Sequence, residues 1–369
     1  MSVAINGTNG VTYNDGTIQA TAPAQKNKII NGNMLIAQRG TSGTPTAGGN
    51  YLACDRWKAW EASDAAVTLS QETDGPTGQF TKCLKYNITT ADASIGASQF
   101  GMVRQMIEGQ NIIDLGFGTA SAQSVTISFW VKSSLTGSHG AALNNGNEDR
   151  SYPFAYTVSS ANTWEYKTVT IAGDTSGTWD TDTTAGMIIT FGLGAGTTYQ
   201  GTADAWQAGN KFQPSGTIQN IGTISNWNVT GVQLEAGVNA TDFEHLQYGQ
   251  QLALCQRYYE VIVDGSDGIG LQTIGIAGLT YKVDQINMPI NFKTEKRAND
   301  STLEFVSGAY YEMRTHTTTV TTSSLGVTGG VNGKQNAVPY FNTSGQTEHQ
   351  SWTFYVQNSA AHMAFSSEL

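Results

Sequence analysis

Two pairs of carboxylates stand at spacings that suit acid–base chemistry. Asp180 and Asp182 lie in Trp179-Asp-Thr-Asp182, and Asp264 and Asp267 lie in Asp264-Gly-Ser-Asp267. Two carboxyl groups on a rigid scaffold can hydrolyse a glycosidic bond. The same oxygens could hold calcium. With 29 acidic residues in the chain, however, such pairs arise readily in loops, where Asp favours turns for its own backbone bonding. No His-Glu-x-x-His, Cys-x-x-Cys, Gly-x-Ser-x-Gly or phosphate-binding loop is present. Gly192, Gly194 and Gly196 miss the dinucleotide spacing and read as a turn. The five histidines are dispersed. No catalytic residue, metal site or cofactor is assigned.

The aromatic residues are more informative. Sugars present C–H faces that stack on rings, while Asn, Gln, Asp and Arg bind their hydroxyls. Trp179 sits in GDTSGTWDTDTTAG and Trp206 in GTTYQGTADAWQAGN, turn-rich runs with little aliphatic cover. Both indoles are expected to face solvent, and with Tyr199, Asp180 and Asp182 they form the first candidate glycan site; the alternative is a pair of loop anchors. Tyr310, Tyr311 and Tyr340 are a second candidate, or else packing at a subunit boundary. Trp57, Trp130 and Trp227 lie within strand phrases and read as core. Arg56, beside Asp55 and Trp57, could offer its planar fork of donors to a sugar; the reading preferred is that it pairs with a carboxylate, Glu235 on the closing strand being the partner named.

The elements that must carry these residues are β-strands. The chain has 369 residues, 42 of them glycine, and only 13% are charged, against about a quarter in ordinary proteins. Short alternating runs with turn signals between them, at Val67–Leu69, Cys83–Ile88, Val125–Val131, Thr168–Ile171 and Met187–Leu193, favour an antiparallel sandwich or jelly roll. The expected order is a short N-terminal segment with a turn at Asp15-Gly16 (1–27), the alternative there being a disordered tail, then a jelly-roll β-sandwich (28–247), a linking helix (248–259) and a C-terminal β-sandwich (260–369). The helix follows from the apolar spacing of Leu252, Leu254, Cys255, Tyr258 and Tyr259. Its apolar positions exceed what one small helix buries beneath itself. Leu252 and Tyr258 are therefore expected at a subunit axis or an interdomain seam.

Net charge is −10, without Lys/Arg clusters, which argues against nucleic acid. No apolar run approaches the ~20 residues needed to span a bilayer. The first residues, MSVAINGTNG, lack a secretion signal. Three scattered cysteines suit a reducing cytoplasm.

Three phrases together resemble tail-fibre and receptor-binding proteins of tailed bacteriophages. They are Gly231-Val-Gln-Leu-Glu-Ala-Gly237, Ala240-Thr-Asp-Phe-Glu244 and Cys255-Gln-Arg-Tyr-Tyr259. The order of Asn31-Gly-Asn33, Arg56-Trp57, Ser128-Phe-Trp-Val-Lys-Ser133 and Gln233-Leu-Glu235 extends the likeness over the first sandwich, and Ala364-Phe-Ser-Ser-Glu-Leu369 matches the usual ending. Glu295-Lys-Arg-Ala298 departs from it, lacking the proline of the corresponding phrase. The resemblance implies a carbohydrate-binding-module-like jelly roll in a homotrimeric virion protein. Such a protein would be made in the host cytoplasm and be extracellular after lysis. It would join other tail proteins through its N-terminal segment and bind a host-surface polysaccharide or lipopolysaccharide without cleaving it. The alternative it leaves open is a virion-associated depolymerase or esterase.

Overall fold

The computed structural model describes residues 4–6, 10–12, 18–19, 26–267, 272–299, 301–322, 325–327 and 333–369. The Asp15-Gly16 turn lies outside them. The protein is all-β, with Tyr248–Gln256 as its α-helix among the described residues. No helix there is long and apolar enough to cross a membrane.

The first sandwich packs two antiparallel sheets. One has six strands in the order Glu165–Ile171, Val125–Ser133, Ser225–Ala236, Cys83–Thr90, Ala66–Glu72, Ser42–Gly43. The other has seven: Gln207–Ala208, Arg150–Val158, Gly137–Asn145, Ala185–Ala195, Phe100–Glu108, Lys58–Ala62, Asn50–Tyr51. Alternate residues such as Ile127, Phe129, Ile189 and Phe191 fill the space between them with essentially no exposure. Three strands of the second sheet carry no readable alternation. Phe100–Glu108 is buried on both faces, Gly137–Asn145 is built of small and polar residues, and Arg150–Val158 contains Pro153. Pro153 is tolerated because the short strand beyond pairs only with Arg150 and Ser151, so no ladder bond is lost there.

A second hydrophobic core runs from Val263 to Phe365. It lies between a seven-stranded sheet and a three-stranded one, Tyr259–Asp264, His362–Ser366 and Thr302–Phe305.

The Asn31-Gly-Asn phrase is the hub of the joint. Asn31 accepts from Ile36 N and donates to the carbonyls of Ile36 and Asp55, and its own carbonyl accepts the Trp57 indole N–H at 3.1 Å. Gly32 lies so close to the Val232 carbonyl that a Cβ there would meet the oxygen at 2.0 Å. Gln251 of the helix donates to Asn31 Oδ1 at 3.1 Å. The helix thus rests on the chain's own sandwich. Cys255 and Tyr258 are buried against Ile30 and Ile36, with Leu252, Leu254 and Leu369 packed around them. Tyr258 is buried between the helix and this sandwich, its hydroxyl donating to Glu108.

Arg56 confirms a structural pairing and corrects its partner. Its guanidinium pairs with Glu368, donates to the Met106 carbonyl and lies 3.4 Å over the Tyr258 ring. Glu235 is engaged elsewhere. Arg39 joins the same carboxylate at 3.0 Å and covers the Tyr259 ring.

Candidate functional site

Along Val125–Ser133, the core takes Val125, Ile127, Phe129 and Val131, so Ser128, Trp130 and Lys132 must face outward. The expectation of a core Trp130 is corrected on this ground. Two adjacent aromatics in a strand cannot both point inward, and Phe129 holds the inner place. Trp130 is half-buried on the outer face of the six-stranded sheet. Directly across the ladder stands Tyr166, 44% exposed, with ring centroids 5.3 Å apart.

The facing wall is made by Phe80 and Phe243, edge to face at 5.0 Å. Phe80 reaches this position because of Gly231. That residue sits at a bulge in the ladder, has φ of 63°, and would meet the Phe80 ring at 2.6 Å if it carried a Cβ. The loop before Phe80 is tied down by Asp74, which pairs with Lys132 and accepts the Trp164 indole N–H.

The Gln-Leu-Glu strand builds the other side. Glu235 accepts from Thr241 N at 2.9 Å and Thr241 Oγ1 at 2.7 Å, while Gln233 accepts from Glu244 N at 2.8 Å. Glu244 in turn accepts from the backbone N–H of Lys26 and Asn27. The Ala240–Glu244 turn is thereby fixed, presenting Thr241, Asp242 and Phe243. The result is a cavity of about 260 Å³ whose lining combines aromatic walls with Gln79, Ser128, Thr241 and Asp242. That is just below the ~300–1,000 Å³ of small-molecule sites. It can stack an apolar face and offer hydrogen bonds at its rim.

The residues expected to bind sugar are arranged differently. Trp179 is only 7% exposed, its indole N–H donating to the Ser176 carbonyl. Its cover comes from residues distant in sequence, Phe117 at 4.6 Å and Trp206 at 5.5 Å. Trp206 is half-buried, packs on Tyr152 and donates to the Ala172 carbonyl. The two indoles do come together, but as a packed pair and not as exposed platforms. Tyr199 belongs to a separate cluster, stacked on Phe212 at 4.6 Å. Asp182 is exposed and caps Thr184, whose hydrogen bonds hold the carboxyl below its ordinary range. Asp180 is half-buried beside it. Asp264 caps Ser266 in the same way, and the side chain of Asp267 lies outside the described residues.

In the second unit Tyr311 is fully buried, its hydroxyl donating to the His362 carbonyl at 2.6 Å. Its packing is therefore within its own core. Tyr310 is half-buried beside Gly308. Tyr340 is half-buried on the larger sheet, opposite Asn287 and Gly326. These three do not form one surface. Among the described residues, no group of three or more His, Cys, Asp or Glu is placed to hold a metal.

No family model matches the chain, and no curated protein matches it. Among solved structures, it is similar to the enzymatically active domain of bacteriophage CBA120 tailspike protein 4. That match has 11% identity and a TM-score of 0.33, over 57% of this chain and 21% of that one. An arabinose-bound α-L-arabinofuranosidase matches at 10% identity and TM-score 0.31, over 55% and 26% of the two chains. A family 11 carbohydrate-binding module from Clostridium thermocellum, solved with a β-1,3-1,4-mixed-linked tetrasaccharide, matches at 11% identity and TM-score 0.27, over 56% and 98%. The chain thus spans about a fifth of the tailspike domain and a quarter of the arabinofuranosidase. Likenesses this distant carry no functional weight.

Proposed function

We propose that the protein is an adhesin that holds a host-surface polysaccharide or lipopolysaccharide in the Trp130–Tyr166 groove without cleaving it. In this reading it is a tail fibre or tail-associated receptor-binding protein of a tailed bacteriophage. It would be a virion homotrimer joined to other tail proteins through residues 1–27. The observation that carries the binding role is the cross-strand pair of Trp130 and partly exposed Tyr166, facing Phe80 and Phe243 across a polar-rimmed groove. Phe80 is itself buried, so Trp130, Tyr166 and Phe243 are the rings that lose contact with water when a sugar ring enters. Among the described residues Asp242 is the one acidic residue lining the groove, whereas two-carboxylate hydrolysis requires a pair, so retention without cleavage fits better. The tail location rests on the resemblance of the 231–237, 240–244 and 255–259 phrases.

Adsorption of purified protein to host cells tests the site. Trp130→Ala and Tyr166→Ala should each weaken adsorption about tenfold, on the scale of one aromatic stacking contact, with little change in melting. Trp179→Ala should instead lower stability by ~3–5 kcal/mol, as loss of a packed indole does, and leave adsorption of the folded fraction intact. Normal adsorption by both groove variants would remove the site. New reducing ends released from host polysaccharide would assign a depolymerase instead.

A further inference from the structure

From the composition of the groove we infer that its preferred ligand carries a cationic ammonium group: a free amino sugar or a choline-type substituent on a surface glycan. This deepens the binding reading above and rests on it. Four aromatic side chains, Phe80, Trp130, Tyr166 and Phe243, line one cavity of about 260 Å³. The π faces of such rings carry negative potential and attract cations, most strongly where water is displaced. A neutral sugar would use their apolar surface alone. A cation would use both surface and charge.

The charged groups around the cavity favour the same choice. Asp242 lines it, is exposed, and has no hydrogen bond or ion pair to its carboxylate among the described residues. No lysine or arginine is among the lining residues. Of the two nearby ammonium groups, one is engaged away from the cavity and the other is held at its rim by lining residues. Lys132 is held by Asp74, and Lys26 Nζ donates to Thr241 Oγ1 and the Asp242 carbonyl. Asp242 is therefore an exposed acidic residue lining an aromatic pocket, its carboxylate oxygens without a partner among the described residues. The chain's net charge of −10 adds a general attraction for cations and repulsion of acidic sugars.

Calorimetric titration of the full chain at pH 6 and low salt, with glucosamine, choline, N-acetylglucosamine and glucose, tests the inference. Glucosamine and choline should bind about tenfold tighter than the two neutral sugars, the scale of a desolvated cation–π contact. Asp242→Asn should remove most of that margin, and Trp130→Ala should weaken every probe. Tight choline with weaker glucosamine would assign the ammonium to a choline substituent, and the converse to an amino sugar; either supports the inference. Equal binding of charged and neutral probes, lost in Trp130→Ala, would overturn the charge preference and leave the groove standing. No binding by the wild type, or binding that Trp130→Ala leaves unchanged, would overturn both.

Discussion

Asp55 is a carboxylate in a place that does not favour its charge. Burial pushes its pKa up to about 6, against hydrogen bonds from the backbone and side chain of Gln38 and the nearby Arg39. A folded-state pKa above the unfolded one means the folded chain holds the proton more tightly. Asp55 therefore contributes stability that is fully present below about pH 4 and lost as pH rises through about 6. A rise of this size corresponds to roughly 3 kcal/mol. Asp55→Asn has no such penalty, so its melting temperature relative to wild type should climb between about pH 4 and pH 7 and then level off. A difference that stays flat across this range would show that Asp55 is ionised without cost. The neighbouring Arg56 marks what single residues reveal. A buried arginine beside a tryptophan in a β-protein calls for a carboxylate, and that much was legible. Its partner, Glu368, lies at the far end of the chain, where no local pattern points to it. Trp179 failed in the same way, because the rings that cover it, Phe117 and Trp206, are distant in sequence. Trp130 is the opposite case. Within its strand phrase it reads as core, although strand alternation beside Phe129, a purely local signal, turns it outward.

At the scale of elements, Glu295-Lys-Arg-Ala298 shows what a departure from a pattern can hide. Its backbone lies against the joint, with Lys296 N donating to the Lys334 carbonyl and Arg297 N to the Arg257 carbonyl. Lys296 is fully buried, pairing with equally buried Glu260 at 2.6 Å and donating to the Gln256 carbonyl. Arg297 donates to the carbonyls of Ser367, Glu368 and Thr183, tying the closing segment to the first sandwich. On the other side of the joint, Arg257 forks onto Glu108 at 2.7 and 2.8 Å. Burial opposes ionisation of Glu108, but Arg257 and Tyr258 outweigh it and hold the carboxyl below its ordinary range. Removing one member of a buried pair leaves the other uncompensated. Lys296→Ala should cost ~3–5 kcal/mol in denaturant unfolding, while Lys296→Met with Glu260→Leu should recover most of the loss. Equal loss in single and double variants would show that the pair itself stabilises the joint. The strands that carry the cores alternate strongly enough to be read directly. Phe100–Glu108, buried on both faces, and Gly137–Asn145, too small and polar, lacked that signal.

For the whole molecule, the proposed trimer needs a surface that the single chain leaves uncovered. Tyr258 is not that surface, since it is fully buried and bonded to Glu108 within the chain. The far side of the helix offers one. A groove of about 560 Å³ runs beside Leu254, lined also by Ile30 and Ile113, with the Lys28–Asp114 ion pair at its edge. Ile113 is 56% exposed and Tyr248, at the start of the helix, 58%. Ile113 and Leu254, left open in a groove otherwise lined mostly by polar residues, would be covered if a second copy seated there, and a head-to-tail contact of this kind closes into a ring when its rotation is three-fold. Ile113 is the better probe than half-buried Leu252, because replacing an exposed residue leaves the chain's own packing intact. Ile113→Asp places a charge in that contact, where it would be buried without a partner. The variant should therefore fall from three-chain to one-chain mass in light scattering while its strands remain folded by circular dichroism. A wild type that already runs as a monomer, or a variant that stays three-chained, would take this groove out of the assembly and move the search to the exposed Leu279, Tyr281 and Val283 of the second unit.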